Sequence, residues 1–374
     1  MKVNEISDFL QSRIEAGDFP SAVYLAARRG QAVFEDATGK AVVEPEKIEA
    51  LRDTIYDLAS LTKVLVTGLL AAKLIEDGEI ALGDKISDLF PRFDGSEITL
   101  LNLVTHTSGL AAWKPMYLLA RDEGFYGSAA RANLTRIIAA VPPENPPNTK
   151  VVYSDLNFLL LTQLIEKLFA ARLDEIAKAE IFEPLGLKDT FFNPPKTLRG
   201  RIAACEKGNE FEKQTCVEMG YDVTRYNWRD YQIWGEVHDG NAWFLDGVSG
   251  HAGLFSTAEE TFRIAQQFLA NSTLILKPET CKMFGTNFTP TLNEGRSLGF
   301  QMAVTRDSAG DELPEEAFGH LGFTGTSLWI DPLKERVFIL LTNRTHHRRL
   351  PFENINSVRR RFHNMASKLL DEHF

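Results

Sequence analysis

The apolar positions of this chain follow two periods, and the period changes along its length. Near the start, Val3, Ile6, Phe9, Leu10 and Ile14 recur at three- and four-residue steps, which predicts an amphipathic helix. Two β-rich runs follow, "SAVYLAARR" and "QAVFEDATG", separated by Gly30, and read as a hairpin. An apolar run beginning near Ser60 predicts a helix that ends around "IEDGEI". From about 77 to 245 the pattern is helical or loop-like, as in "LNLVTHTSGL", "NLTRIIAAV" and "LNFLLLTQLIEKLFAARLDEIAKAEIF". Proline and asparagine make "VPPENPPNTK" a loop. β character returns from about 296 in "SLGFQMAV", "GTSLWIDP" and "RVFILLTNR". A closing amphipathic helix uses Ile355, Val358, Phe362, Met365 and Leu369.

Strand pairs at both ends around a helical middle predict one sheet built from both termini. On this reading residues 1–76 and 246–374 form the sheet unit and residues 77–245 an inserted, mainly helical lobe, with a cleft between them. Composition narrows the function classes. The 374 residues are 44% hydrophobic and 25% charged, as in an ordinary globular protein, and the formal charge of −10 is spread over mixed acidic and basic residues. That excludes nucleic acid and anionic membrane as main partners. The start shows no apolar leader with a cleavage site, and no run is long enough to cross a bilayer, so the expectation is a cytoplasmic protein. Cys205, Cys216 and Cys281 have no metal-type spacing and read as reduced thiols. No cofactor and no metal is expected, and oligomeric state is left open.

Three stretches carry the candidate chemistry. In "DLASLTKVLVT", Ser60 and Lys63 form the chain's single Ser-x-x-Lys match and would share one helix face. A serine hydroxyl needs a neighbouring base to become a nucleophile, and a lysine can serve where its pKa is lowered. In "VVYSDLNFLLL", Tyr153 leads a helix together with Ser154 and Asp155; a phenol beside an ammonium can act as a base. In "GHLGFTGTSLWIDP", Gly322 and Gly325 would let a substrate lie against a strand, and His320 could supply a donor or a switchable charge.

In this order the stretches resemble the serine β-lactamase and penicillin-binding protein superfamily, on its class C-related, esterase-like branch. "YDLASLTK", "LVTHTSGL", "YSDLNFLLL", "IFEPLGLKDTFF", "GVSGHAGLFSTAEE" and "GHLGFTGTSLWIDP" all look like segments of that family. The resemblance implies an α+β fold: a five-stranded antiparallel sheet flanked by helices, of the β-lactamase/DD-peptidase type. It implies Ser60 as the acylated nucleophile, Lys63 as its activator and Tyr153 as general base or acid. The backbone N–H groups of Ser60 and Phe323 would form the oxyanion hole. His320, Leu321 and Gly322 fall where the family carries Lys-Thr-Gly or His-Thr-Gly.

Two departures bear on substrate. Asp155 stands where class C enzymes commonly carry asparagine, and would hold Lys63 or an adjacent donor. Leu321 replaces the hydroxyl, and His320 the lysine, that bind a β-lactam carboxylate. A charge-assisted hydrogen bond contributes about 1.5–3 kcal/mol, so its loss costs roughly ten- to a hundredfold in affinity. The expectation is a hydrolase of carboxylic esters or small amides with weak β-lactam hydrolysis at most. The alternatives are a true β-lactamase or D-amino-acid peptidase, and a non-catalytic binding protein that keeps the fold.

Other stretches are weighed and set aside. His106 and Ser108 read as a structural turn. Glu236, His238 and Asp239 could be read as metal ligands but lack a second cluster with zinc spacing. Trp228, Tyr231, Trp234 and Trp243 form a dense aromatic set, of which Trp234 and Trp243 would line the cleft and bind substrate. Ser256 and Glu259 have capping-box spacing.

Overall fold

The structure is a computed structural model and describes residues 4–373. Val3 of the first helix face therefore lies outside the described residues, whereas Asn4–Glu15 is helical with Ile6 and Leu10 buried. Ten strands follow: β1 (Ser21–Arg28), β2 (Gln31–Val42), β3 (Ile48–Glu49), β4 (Tyr56–Asp57), β5 (Phe191–Phe192), β6 (Leu254–Ser256), β7 (Gln301–Met302), β8 (Phe318–Leu321), β9 (Ser327–Asp331) and β10 (Arg336–Thr342). The main sheet runs β3-β2-β1-β10-β9-β8-β7, and each neighbouring pair is antiparallel. Seven strands stand where five were expected. The excess lies at the edges, because β3 and β7 are two residues each.

The central strands show why "SAVYLAARR" reads as almost continuously apolar. Val23, Leu25 and Ala27 of β1, with Val337, Ile339 and Leu341 of β10, face the larger core. Ala22, Tyr24 and Ala26, with Phe338 and Leu340, face a second core against Ile6, Leu10 and the C-terminal helix residues Phe362, Ala366 and Leu370. A strand covered on both faces has no polar side to alternate. "SLGFQMAV" forms only a two-residue strand, because the segment turns back on itself: Ser297 N–H donates to Phe300 O at 3.0 Å and Met302 N–H to Gly295 O at 2.9 Å. The expected cap at Ser256 is displaced by one residue. Ser256 ends β6, and Thr257 accepts from Glu260 N–H at 3.2 Å.

A second sheet, β4-β6-β5, delivers the nucleophile segment. β4 pairs with β6 through Tyr56–Ser256 and Asp57–Phe255. The chain then leaves the sheet through Ala59, a non-glycine residue at φ +48°. The Asp57 carboxylate holds that turn by accepting from Ala59 N–H at 2.8 Å. A π-helical stretch, Lys63–Gly68, follows and runs into the α-helix Leu69–Glu76. Wide helical turns of this kind are common at functional sites. The three cysteines are free and buried, and no helix among the described residues is long and apolar enough to cross a membrane.

Candidate active site

Ser60 lines a cleft of about 750 Å³ that reaches from the nucleophile turn to β8 and the C-terminal helix. The Lys63 side chain is fully buried and spends its three N–H directions close to home. Its Nζ donates to Ser60 Oγ at 3.0 Å and to His251 O at 2.9 Å, and lies 2.7 Å from Asp155 Oδ1. It also faces the Tyr153 ring at 5.0 Å. Burial pulls this ammonium down, but the Asp155 charge, with Tyr153 beside it, outweighs burial and holds Lys63 above its ordinary pKa. The lysine is therefore not depressed in the free protein, contrary to the condition for a ready base.

Tyr153 comes from the segment that starts the Asp155–Phe169 helix. Ser154 docks that start without capping it: its Oγ donates to Ala111 O at 2.6 Å and its N–H to His106 Nδ1 at 3.0 Å. His106, at φ +58°, packs against the Tyr153 ring at 4.7 Å, so the "THTSGL" turn shapes the site from behind. The Tyr153 hydroxyl is buried without a well-directed hydrogen bond. Burial raises its pKa, although Lys63 works in the other direction.

His320 on β8 lies 5.6 Å from Tyr153, ring to ring, and is 3% exposed. Burial, followed by Lys63 and Arg296, pushes its pKa well below the ordinary value. The ring is neutral, and Nδ1–H donates to Leu321 O at 2.9 Å. Nε2 is then an unpartnered buried acceptor rather than the donor or switchable charge expected of it. Gly322 lines the cleft, but its missing side chain answers a packing demand. A Cβ there would collide with Thr326 Oγ1 and lie 2.6 Å from Leu58 O. The same Thr326 Oγ1 donates to Leu58 O at 3.0 Å, tying the turn between β8 and β9 to the nucleophile segment. Gly325 is likewise closed in by Thr342. Among the described residues no hydrogen bond occupies the N–H of Ser60 or of Phe323.

The two tryptophans do not line this cleft. Trp234 is buried, with its indole N–H on Ile202 O at 2.7 Å and the Arg199 guanidinium over its ring at 4.3 Å. Trp243 lines a separate cavity beside Tyr117, Tyr226 and Phe244. The cleft's apolar surface comes instead from Trp113, Phe211, Met219, Leu321 and Phe323.

Sequence reading missed several groups that long-range packing brings in. Arg296, Arg344 and Arg359 line the cleft, as does Glu212. Arg296 pairs with Glu294 at 2.7 Å and lies over the Tyr153 ring at 5.7 Å, with its Nε unpartnered. Glu212 accepts from Gly240 N–H at 2.9 Å; burial, then the Asp239 charge, pushes its carboxyl up to about 8. Glu236, His238 and Asp239 diverge: His238 pairs with Glu206 at 2.9 Å, and Asp239 caps the helix Gly240–Phe244 and meets His251 Nε2 at 2.9 Å. Among the described residues the group that could hold a metal is Asp155, Asp239 and His251, whose ligand atoms lie within 4.8 Å of one another. The Lys63 ammonium already supplies positive charge there, through Asp155 and the His251 carbonyl.

A family model described as Beta-lactamase matches residues 6–358. A Salmonella gallinarum protein named "Putative D-alanyl-D-alanine carboxypeptidase" is 30% identical over 376 aligned positions, covering 92% of this chain and 83% of its own. Among solved structures, EstCE1, a hydrolase with promiscuous acyltransferase activity, superposes with a TM-score of 0.72 at 21% identity, covering 96% of this chain and 97% of its own. A class C beta-lactamase from Rhodobacter sphaeroides superposes with a TM-score of 0.70 at 19% identity, covering 98% and 99%. These likenesses extend over nearly the whole chain.

Proposed function

The chain is a serine hydrolase that belongs to the beta-lactamase family, and from that premise we propose that it hydrolyses carboxylic esters or small amides through an acyl-enzyme on Ser60. The observation that carries this reading is the Lys63 Nζ to Ser60 Oγ contact of 3.0 Å, with Ser60 lining a largely apolar cleft. In the first half-reaction Ser60 Oγ bonds to the substrate carbonyl carbon, and its proton passes to the Lys63–Tyr153 pair. The N–H groups of Ser60 and Phe323 receive the oxyanion. The bond to the leaving alcohol or amine then breaks, and that group takes the proton. In the second, water repeats the attack and releases the acid, restoring Ser60.

Because the ammonium donates to Ser60 Oγ, the serine proton is directed away from it. Tyr153 receives that proton once the Lys63–Tyr153 pair has lost one of its own, and the Lys63 Nζ 5.0 Å from its ring supports that pairing. Asp155 sets how readily that loss occurs, and His320 serves as a neutral acceptor wall. The reading retains the division into a sheet unit of residues 1–76 and 246–374 and a helical lobe of residues 77–245, with β4-β6-β5 joining them.

A second reading has its own support. The carboxypeptidase name of the Salmonella relative, together with Arg296, which lines the cleft with its Nε unpartnered, favours a substrate bearing a carboxylate, such as a D-amino-acid peptide. The neutral His320 and apolar Leu321 weigh toward esters. Parallel assays of p-nitrophenyl esters, benzylpenicillin and a D-alanyl-D-alanine peptide separate the two. Ester turnover exceeding peptide and penicillin turnover by at least tenfold in kcat/KM is expected; the reverse order supports the peptidase reading.

A further inference from the structure

Two guanidiniums grip the carbonyls on either side of the Phe323 N–H, and neither pairs with a carboxylate in the described residues. Arg359, on the C-terminal helix Asn356–His373, donates through Nη2 to Gly322 O at 2.6 Å and to Thr326 O at 2.9 Å. Its Nε reaches Gly325 O at 3.3 Å and its Nη1 reaches Asn356 Oδ1 at 2.8 Å. Arg344 donates through Nε to Phe323 O at 2.6 Å and through Nη1 to Glu353 O at 2.6 Å, with its guanidinium 4.9 Å over the Phe323 ring.

A buried arginine without an anion is unfavourable, and burial pushes Arg359 down to about 9. Four of its five N–H groups are taken by the protein itself, so little is left to bind a substrate. Its strongest contact falls on a particular peptide. Gly322 C=O and Phe323 N–H are the two ends of one trans peptide unit. A charged donor on that oxygen draws electron density through the amide and makes the N–H at the other end a stronger donor.

We propose that Arg359 is a positioning residue for catalysis, which aims the Phe323 N–H into the cleft and strengthens it as a donor to the developing oxyanion. Arg344 fixes the following peptide, so that the Phe323 unit cannot rotate away. The inference rests on the reading of Ser60 as nucleophile.

The test compares wild type, Arg359→Met and Arg359→Lys by kcat and KM for p-nitrophenyl butyrate, by the Ki of phenylboronic acid, and by Tm. Phenylboronic acid forms a tetrahedral adduct on a reactive serine and so reads the oxyanion site directly. Arg359→Met is expected to lower kcat about tenfold and to raise the boronate Ki by a similar factor, with KM within about twofold. Arg359→Lys should fall between, since it keeps the charge but not the fork. Folded variants with kcat and boronate Ki within twofold of wild type overturn the inference, as does a rise in KM alone, which would mark substrate binding. If Arg359→Met does not fold, Arg359→Lys decides by the same criteria. A wild type with neither turnover nor boronate inhibition overturns the reading of Ser60 itself, a failure visible before any variant is made.

Discussion

Replacing Asp155 with asparagine should lower the pH at which Ser60 becomes reactive. Lys63 is fully buried, and its Nζ lies 2.7 Å from Asp155 Oδ1. An opposite charge this close favours the charged form by about 1–3 pKa units, each equivalent to about 1.4 kcal/mol. Asp155 thus holds the ammonium charged against the burial that would deprotonate it. A base must lose its proton before it can accept another, so a raised Lys63 pKa confines reactivity to the alkaline side. Asparagine keeps the shape and a dipole but removes the charge, leaving burial less opposed. Lys63 keeps its contacts to Ser60 Oγ and His251 O. The rising limb of the pH–rate profile should therefore move to lower pH. The assay is the second-order rate of phosphonate labelling from pH 6 to 11, followed by intact mass. If Asp155→Asn leaves the limb where wild type has it, Asp155 does not set the protonation of Lys63 and the reasoning fails.

Three further outcomes follow from individual contacts. The folded state raises Glu212 to about 8, whereas the unfolded chain releases that proton near the ordinary 4.5, so stability should decline as pH rises between those values. Glu212→Gln should flatten the fall of Tm from pH 5 to 8.5, and parallel Tm curves would disprove the assignment. Trp234→Phe should cost about 1 kcal/mol through the lost bond to Ile202 O, while leaving substrate preference unchanged in a panel of esters. An altered preference would return Trp234 to the cleft. Gly322→Ala forces a side chain against Thr326 and Leu58 and should destabilise by about 1–3 kcal/mol in denaturant unfolding; a neutral result would show that this junction yields.

The Ser60–Lys63 contact was legible because a three-residue step at a helix start points both side chains one way, although Ser60 itself lies in the turn just before the helix. The central strands were legible for an equally local reason, since burial on both faces leaves an unbroken apolar run in β1 and β10. The edges were less so: β3 drew no strand expectation, and β7 is only two residues of the longer strand expected in "SLGFQMAV", because partners rather than composition set such short pairings. The Trp234 and Trp243 assignment misfired because aromatic density reports burial of any kind. Here Trp243 lines a cavity beside Tyr117 and Tyr226, and Trp234 is buried in the larger core on Ile202 O. The cleft arginines were beyond a local reading. Arg359 begins the run Arg359-Arg360-Arg361, and only helix packing turns it inward onto Gly322 O. The His251 carbonyl was equally hidden, since it reaches Lys63 across 188 residues of sequence.

The central claim is that Ser60 is an activated nucleophile. It is tested most directly by the intact mass of the protein after exposure to a phosphonate serine-hydrolase probe, with Ser60→Ala alongside. The account predicts one adduct on wild type and none on Ser60→Ala. No adduct on either protein, or the same adduct on both, would contradict it.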